Sequence, residues 1–166
     1  MKVLISVASK HGATTDIGDA IAAALEDHGL DVVVTEPDQV TSVDGFDAVI
    51  IGSGVYAGHW LAPAKRLVER ARGALLVRPV WLFSSGPLGD DKQPTDPSDV
   101  APMVGATRAR GHRLFAGRLD RGDLGFGERA IARMVKAPYG DFRDWPAIAA
   151  WAEEIAAVLE PVPVPS

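Results

Sequence analysis

Short apolar runs alternate along this chain with stretches in which apolar residues recur every three or four positions. The runs at residues 2–7, 31–35, 48–52, 79–83 and 112–116 read as strands. The periodic stretches at 15–28, 61–72, 124–136 and 144–159, with a shorter one near 97–108, read as helices. In the first of these, Ile17, Ala20, Ile21, Ala24 and Leu25 share one face, and Gly29 marks the stop. The last has Asp144 as an N-cap and Pro146 in its first turn, with Ile148, Trp151, Ile155 and Val158 or Leu159 directed inward. Five β-like runs separated by helices predict an α/β fold, with a parallel sheet covered on both faces.

The 166 residues suit one domain over 1–160, followed by a flexible Pro-rich tail at 161–166. No apolar run reaches the roughly 20 residues that span a bilayer, and the chain enters a strand without a signal peptide. With no cysteine there are no disulfides and no thiolate chemistry, which fits the cytoplasm. The net charge of −5 argues against nucleic acid as a partner. That charge is uneven. From Met103 to Lys136 eight basic residues face three acidic ones, so this piece carries +5 and the remainder −10. It is either a solvated face or a landing surface for an anionic partner or lipid headgroups.

Ligands of open parallel sheets bind outside the carboxyl ends of the strands, near the point where strand order reverses. Three segments stand out there. Ser9-Lys10-His11-Gly12-Ala13-Thr14-Thr15 follows the first strand, Gly52-Ser53-Gly54-Val55-Tyr56-Ala57-Gly58-His59-Trp60 the third, and Ser84-Ser85-Gly86-Pro87-Leu88-Gly89 the fourth. Glycine and serine let backbone amides approach a ligand without a bulky side chain between. The first segment opens directly into a helix, whose leading N–H groups lack internal partners and carry the positive end of the macrodipole; this is a phosphate-binding arrangement. No Gly-Lys pair is followed by Ser or Thr, so the Walker pattern is absent. Gly52-x-Gly54-x-x-Ala57 matches the loose dinucleotide fingerprint, but no helix opens at once behind it. Glu69, about twenty residues on, falls in a helix, so the match reads as accidental.

The spacing Ser9-x-x-Gly12-x-Thr14 is close to the S/T-x-T-G-x-T phosphate loop of flavodoxins. Through the segments VLISVASKHGATTDIG, VIIGSGVYAGHWLAPAKRLVE, and LFAGRL together with DFRDWPAIAAWAEEI, the chain resembles flavodoxin-like FMN proteins over nearly its whole length. It is most similar to the branch typified by menaquinone-dependent protoporphyrinogen IX dehydrogenase. The resemblance implies a flavodoxin-like three-layer sandwich with strand order 2-1-3-4-5 and FMN as cofactor. It implies that Ser9, Lys10, Gly12, Ala13, Thr14 and Thr15 hold the phosphate, with His11 where many flavodoxins carry a hydroxyl residue. Ser53, Gly54, Val55, Tyr56, Ala57 and Gly58, and Ser84, Ser85, Gly86, Pro87, Leu88 and Gly89, would then border the isoalloxazine, with Tyr56 as the stacking residue.

A minimal fold of this kind passes almost directly from Gly117 to the last helix, whereas residues 118–143 intervene here. They read as an extra helix packed on the sheet, or as a lid or docking element meeting quinone, a carboxylated substrate or the inner face of a membrane. His59 is the candidate catalytic residue; its alternative is a structural or exposed histidine. His28 ends a helix and His112 begins a strand at the surface, and four scattered histidines predict no metal site. Trp60 is read as packing or as a shield for the ring, and Asp90-Asp91 as a turn. Ser53, Ser84 and Ser85 read as hydrogen-bond donors, without a nucleophile-elbow pattern. Three functions follow: an FMN oxidoreductase acting on a quinone or porphyrinogen, an electron carrier docking redox proteins, or a flavin-free domain that keeps the fold. Oligomeric state stays open.

Overall fold

The computed structural model describes residues 1–10, 12–56, 58–86, 97–119, 140–141 and 143–160. In chain order the elements are β1 (Lys2–Ala8), α1 (Ala13–Asp27), β2 (Asp31–Thr35), β3 (Ala48–Tyr56), β4 (His59–Trp60), α2 (Ala62–Arg70), α3 (Arg72–Leu75), β5 (Val80–Gly86), α4 (Val100–Thr107), β6 (Gly111–Ala116), β7 (Arg118–Leu119), β8 (Gly140–Asp141) and α5 (Trp145–Leu159). Five parallel strands lie in the order β2-β1-β3-β5-β6, the order expected, and β4 adds an antiparallel edge to β3. The helix expected at 124–136 lies outside the described residues.

Because side chains alternate across a strand, β1 feeds two cores. Val3, Ile5 and Val7 meet Ile17, Ile21 and Leu25 of α1, and the same face receives Ile148, Trp151, Ile155 and Leu159 of α5. Leu4 and Ala8 face the other way, with Leu67 and Val68 of α2 and Met103 of α4. Burial on both faces explains why the strands are continuous apolar runs rather than alternating ones. Of the two residues left open at the end of α5, Leu159 is buried and Val158 is half exposed.

Two glycines set the closeness of these layers. A Cβ on Gly18 of α1 would lie 2.7 Å from Val7 Cγ2, so its absence lets the helix settle on β1. A Cβ on Gly52 would lie 2.6 Å from Phe83 Cε2 and closer still to the rest of the ring edge. Phe83 therefore lies across the Gly52 backbone and meets Phe115 and Trp151 at centroid distances of 6.2 and 6.0 Å. Read from the sequence as the start of a ligand loop, Gly52 is a packing residue inside β3.

Several boundaries differ from the sequence reading. β3 runs on to Tyr56, because Ser53 and Gly54 keep pairing with Ser84 and Ser85 of β5. The second segment is thus largely a strand and a hairpin, closed by Val55↔Trp60 and Tyr56↔His59, with Gly58 at φ 81°. β5 likewise extends to Gly86. The expected helix at 61–72 breaks at Ala71 into α2 and α3. α1 starts two residues early, at Ala13, because Gly12 turns the chain at φ 86°. Asp144 caps α5 as expected, its carboxylate accepting from Ala147 N–H at 3.1 Å.

Opposite the C-terminal sheet edge, α1 and α5 are tied by His28. Its Nε2 lies 2.5 Å from Glu153, and its Nδ1 hydrogen-bonds Glu160. The hydrogen bond to Glu153, then that to Glu160, raises the His28 pKa above its ordinary 6.5. The strands β7 and β8 pair antiparallel through Arg118↔Asp141 and Leu119↔Gly140. They join the two ends of the segment expected as an insertion at 118–143.

Candidate functional site

The register brings the ends of β1, β3 and β5 side by side. Ala8 pairs with Ser53, and Gly54 with Ser85. All three segments singled out in the sequence therefore converge on one edge of the sheet, at the β1/β3 boundary where the strand order reverses.

The first segment is a tight turn into a helix. Ser9 Oγ accepts the Gly12 N–H at 2.9 Å, and Gly12 takes a left-handed conformation that an L side chain resists. Helix α1 then opens without a side-chain cap, and its first backbone bond runs from Asp16 N–H to Gly12 O. The amides of Ala13, Thr14 and Thr15 precede that bond at the positive end of a 15-residue helix. Thr14 is buried, and its hydroxyl faces Gly54: a Cβ on Gly54 would stand 3.1 Å from Thr14 Oγ1. A side chain there would crowd the Thr14 hydroxyl, so the glycine lets the end of β3 pack closely against the first turn of α1.

Two cations lie beside this turn. Lys10 Nζ sits 4.0 Å from the centroid of the Tyr56 ring, linking the first segment to the second. Arg143, with only 8% of its side chain exposed, bonds Asp16 in the first turn of α1 at 3.2 Å and stacks 4.7 Å from the Trp145 ring. The sequence reading gave Arg143 no role; its carboxylate partner Asp16 is 127 residues away.

The serines of the second and third segments point into the protein. Ser53 Oγ accepts the Leu61 N–H at 2.9 Å and donates to Gly54 O at 2.8 Å, closing the hairpin onto the start of α2. Ser84 Oγ accepts from Trp60 Nε1 at 2.7 Å and lies 2.8 Å from His112 Nε2. Trp60 is buried against the α2 and α4 face, and His112, expected at the surface, is half buried through this contact. Ser85 packs against Gly117, where a Cβ would come 2.9 Å from its hydroxyl. At the hairpin tip, Asp99 accepts from Trp60 N–H at 3.0 Å and lies 3.3 Å from His59 Nδ1 and 3.8 Å from Lys65 Nζ. The expected site residues His11, Ala57, Pro87, Leu88 and Gly89 lie outside the described residues. Among the described residues no group of three or more metal-ligating side chains converges, and no helix is long and apolar enough to cross a membrane.

This architecture and turn agree with a family match: residues 4–145 fit the model of the flavodoxin domain. The chain belongs to the flavodoxin-domain family. Its fold is likewise that of solved flavodoxins. The Streptococcus pneumoniae flavodoxin superposes with a TM-score of 0.63 at 20% identity, over 96% of this chain and 100% of that one. A Fusobacterium nucleatum flavodoxin mutant bound to flavin mononucleotide gives 0.53 at 16% identity, over 68% and 66%. The rubredoxin oxygen:oxidoreductase of Desulfovibrio gigas gives 0.64 at 14% identity, where the match covers 95% of this chain but 36% of that enzyme. Among curated proteins no match is found. Within this flavodoxin domain, the sheet edge carrying Gly12, Thr14 and Gly54 is the candidate site.

Proposed function

We propose that the protein is an FMN-binding redox protein whose flavin phosphate sits at the start of α1. The observation that carries this reading is the Gly12–Thr15 turn: uncapped helix amides, a left-handed Gly12, and the Thr14 hydroxyl seated against Gly54 at the end of β3. Those groups fit a phosphate dianion, which helix N-termini hold through neutral donors and dipole rather than through full charge cancellation. Ser9, Lys10, His11, Gly12, Ala13, Thr14 and Thr15 hold the phosphate end. Tyr56 and the neighbouring residues 53–58 and 84–89 border the ring. The hydroxyls of Ser53 and Ser84 are engaged by protein groups, so they act by shaping this border and not as ligands. Bound FMN supplies electron transfer, and the chain supplies its binding, orientation and electrostatics.

We further propose that the protein works as an enzyme of the quinone- or porphyrinogen-linked dehydrogenase type, in the cytoplasm or at the inner membrane face. The exposed His59 beside the site and the excursion closed by β7 and β8 favour an organic substrate, and residues 118–143 are its docking element. The family match and the fold suit a carrier docking redox proteins equally well.

The test is direct. The full chain is mixed with FMN, dialysed, and its absorbance recorded from about 350 to 500 nm, where bound flavin absorbs. Retained flavin is expected, and a colourless protein would sink both redox readings. With flavin bound, menaquinone-coupled oxidation of protoporphyrinogen identifies the enzyme. Cytochrome reduction without that turnover identifies the carrier.

A further inference from the structure

We infer that His59, held by Asp99, takes up a proton each time the bound flavin accepts two electrons, so that flavin reduction in this protein is tied to pH. The inference rests on the FMN site proposed above. Tyr56 and His59 are directly opposed in the β3–β4 hairpin. Opposed residues of an antiparallel pair project from the same face, about 5 Å apart at Cβ. The other pair of the hairpin, Val55 and Trp60, turns the opposite way, and Trp60 is buried in the core. Tyr56 stands toward the α1 turn, because Lys10 of that turn lies over its ring. His59 therefore shares the shelf on which the flavin ring is proposed to lie.

The imidazole is anchored through one ring nitrogen. Its Nδ1 lies 3.3 Å from Asp99 Oδ2, and that oxygen is itself fixed by the Trp60 backbone N–H at 3.0 Å. An ionised carboxylate only accepts, so its contact places the imidazole proton on Nδ1 and leaves the Nε2 lone pair free to take another. With 59% of the side chain exposed, Nε2 has access to protons from water. Among the described residues, the charged groups beside it are Asp99 next to α4 and Lys65 of α2 on the same carboxylate oxygen, with Lys10 over the neighbouring Tyr56 ring. Lys65 and Lys10 oppose a positive charge on His59; Asp99 favours it, and so does negative charge arriving on the ring.

Two electrons from a reduced organic donor or redox protein, entering bound FMN with one proton, would leave one negative charge beside His59. One further proton passes from water to His59 Nε2 and forms an imidazolium that faces this charge. The protein thus takes up two protons for two electrons, one on flavin and one on His59. Asp99 is a positioning residue in this scheme.

The experiment uses the full chain loaded with FMN and measures the two-electron midpoint potential from about pH 5.5 to 8.5, the range in which histidine changes charge. The slope against pH reports protons per electron. In the wild type a steep region is expected, and His59→Asn should lower the slope there by half. Asp99→Asn removes the carboxylate that anchors the ring and should lower the slope as well. In parallel, NMR of the histidine rings in wild-type protein should show His59 titrating at higher pH after dithionite reduction than before it. An imidazole that titrates identically in both redox forms overturns the inference, even where the variants fail to fold. So does a His59→Asn slope equal to that of the wild type. A chain that retains no FMN overturns the proposed function as well, which separates the two failures.

Discussion

Gly52→Ala should be among the most damaging single-methyl additions in this protein. The new Cβ would lie 2.6 Å from Phe83 Cε2 and nearer to the adjacent ring atoms, whereas van der Waals contact needs well over 3 Å. Phe83 is fully buried, so its ring has no open side to retreat to. To clear the methyl, the ring must shift out of its contacts with Phe115 and Trp151, now at 6.2 and 6.0 Å. Overpacking of a close-packed core costs about 1–3 kcal/mol. Weakening two aromatic pairs adds about 0.5–1.5 kcal/mol each. A loss of about 2–6 kcal/mol is therefore expected, or a fall in Tm of roughly 4–24 °C for a chain of this size. Urea unfolding followed by tryptophan fluorescence is the assay, since Trp151 belongs to the same aromatic group. The decisive comparison is a double-mutant cycle. In a Phe83→Leu background the methyl meets a smaller side chain, so its cost should fall below about 1 kcal/mol, giving a coupling of at least that size. Additive costs would refute the collision. If Gly52→Ala lost FMN while keeping wild-type stability, Gly52 would be a ligand-approach residue instead of a packing one.

Gly12→Ala tests the turn by backbone strain alone, because nothing lies within 4 Å of the added Cβ while φ is 86°. The left-handed conformation costs an L residue about 1–2 kcal/mol, so FMN affinity should fall roughly five- to thirtyfold. Gly12→Asn should lose less, and riboflavin, which lacks the phosphate, should bind all three proteins alike; equal FMN affinities for Gly, Ala and Asn would refute it. His28 predicts a pH dependence of stability. Its pKa is raised in the fold, so its contribution is fully present below 6.5 and is lost as pH rises through the higher folded value. The wild-type advantage over His28→Asn in urea midpoint should therefore shrink as pH climbs above 6.5, and an advantage that grew with pH would contradict the clasp.

The layers of this fold were legible because burial on both faces of a parallel sheet leaves a plain signature, the short apolar run, and because α1 carries its stop and α5 its cap in local sequence. What was not legible depends on partners far along the chain. Ser53-Gly54-Val55-Tyr56 looks like a loop, rich in small residues, yet it continues β3 because β5 and Trp60 supply strand partners. Gly52 looks like a ligand glycine until Phe83 is placed across it. Asp99 has no motif around it, and Arg143 lies in a family-like segment that gives it no role by itself; each acquires its role from a residue at least 39 positions away. The glycine turn at Gly12 was readable as a helix opening, but its left-handed φ and the Ser9 hydroxyl that ties it are tertiary detail.

The pairing of Arg118 with Asp141 and of Leu119 with Gly140 has a consequence for how this protein can change. Once a two-rung ladder pins the ends of an excursion, the entropy of closing the chain between them grows only with the logarithm of its length, about 0.6 kcal/mol for each doubling. The sheet beneath is then nearly indifferent to what the excursion contains. A segment of different length or charge can be exchanged between those rungs while the parallel sheet stays as it is, so the content of that segment can change without disturbing the edge that carries Gly12, Thr14 and Gly54.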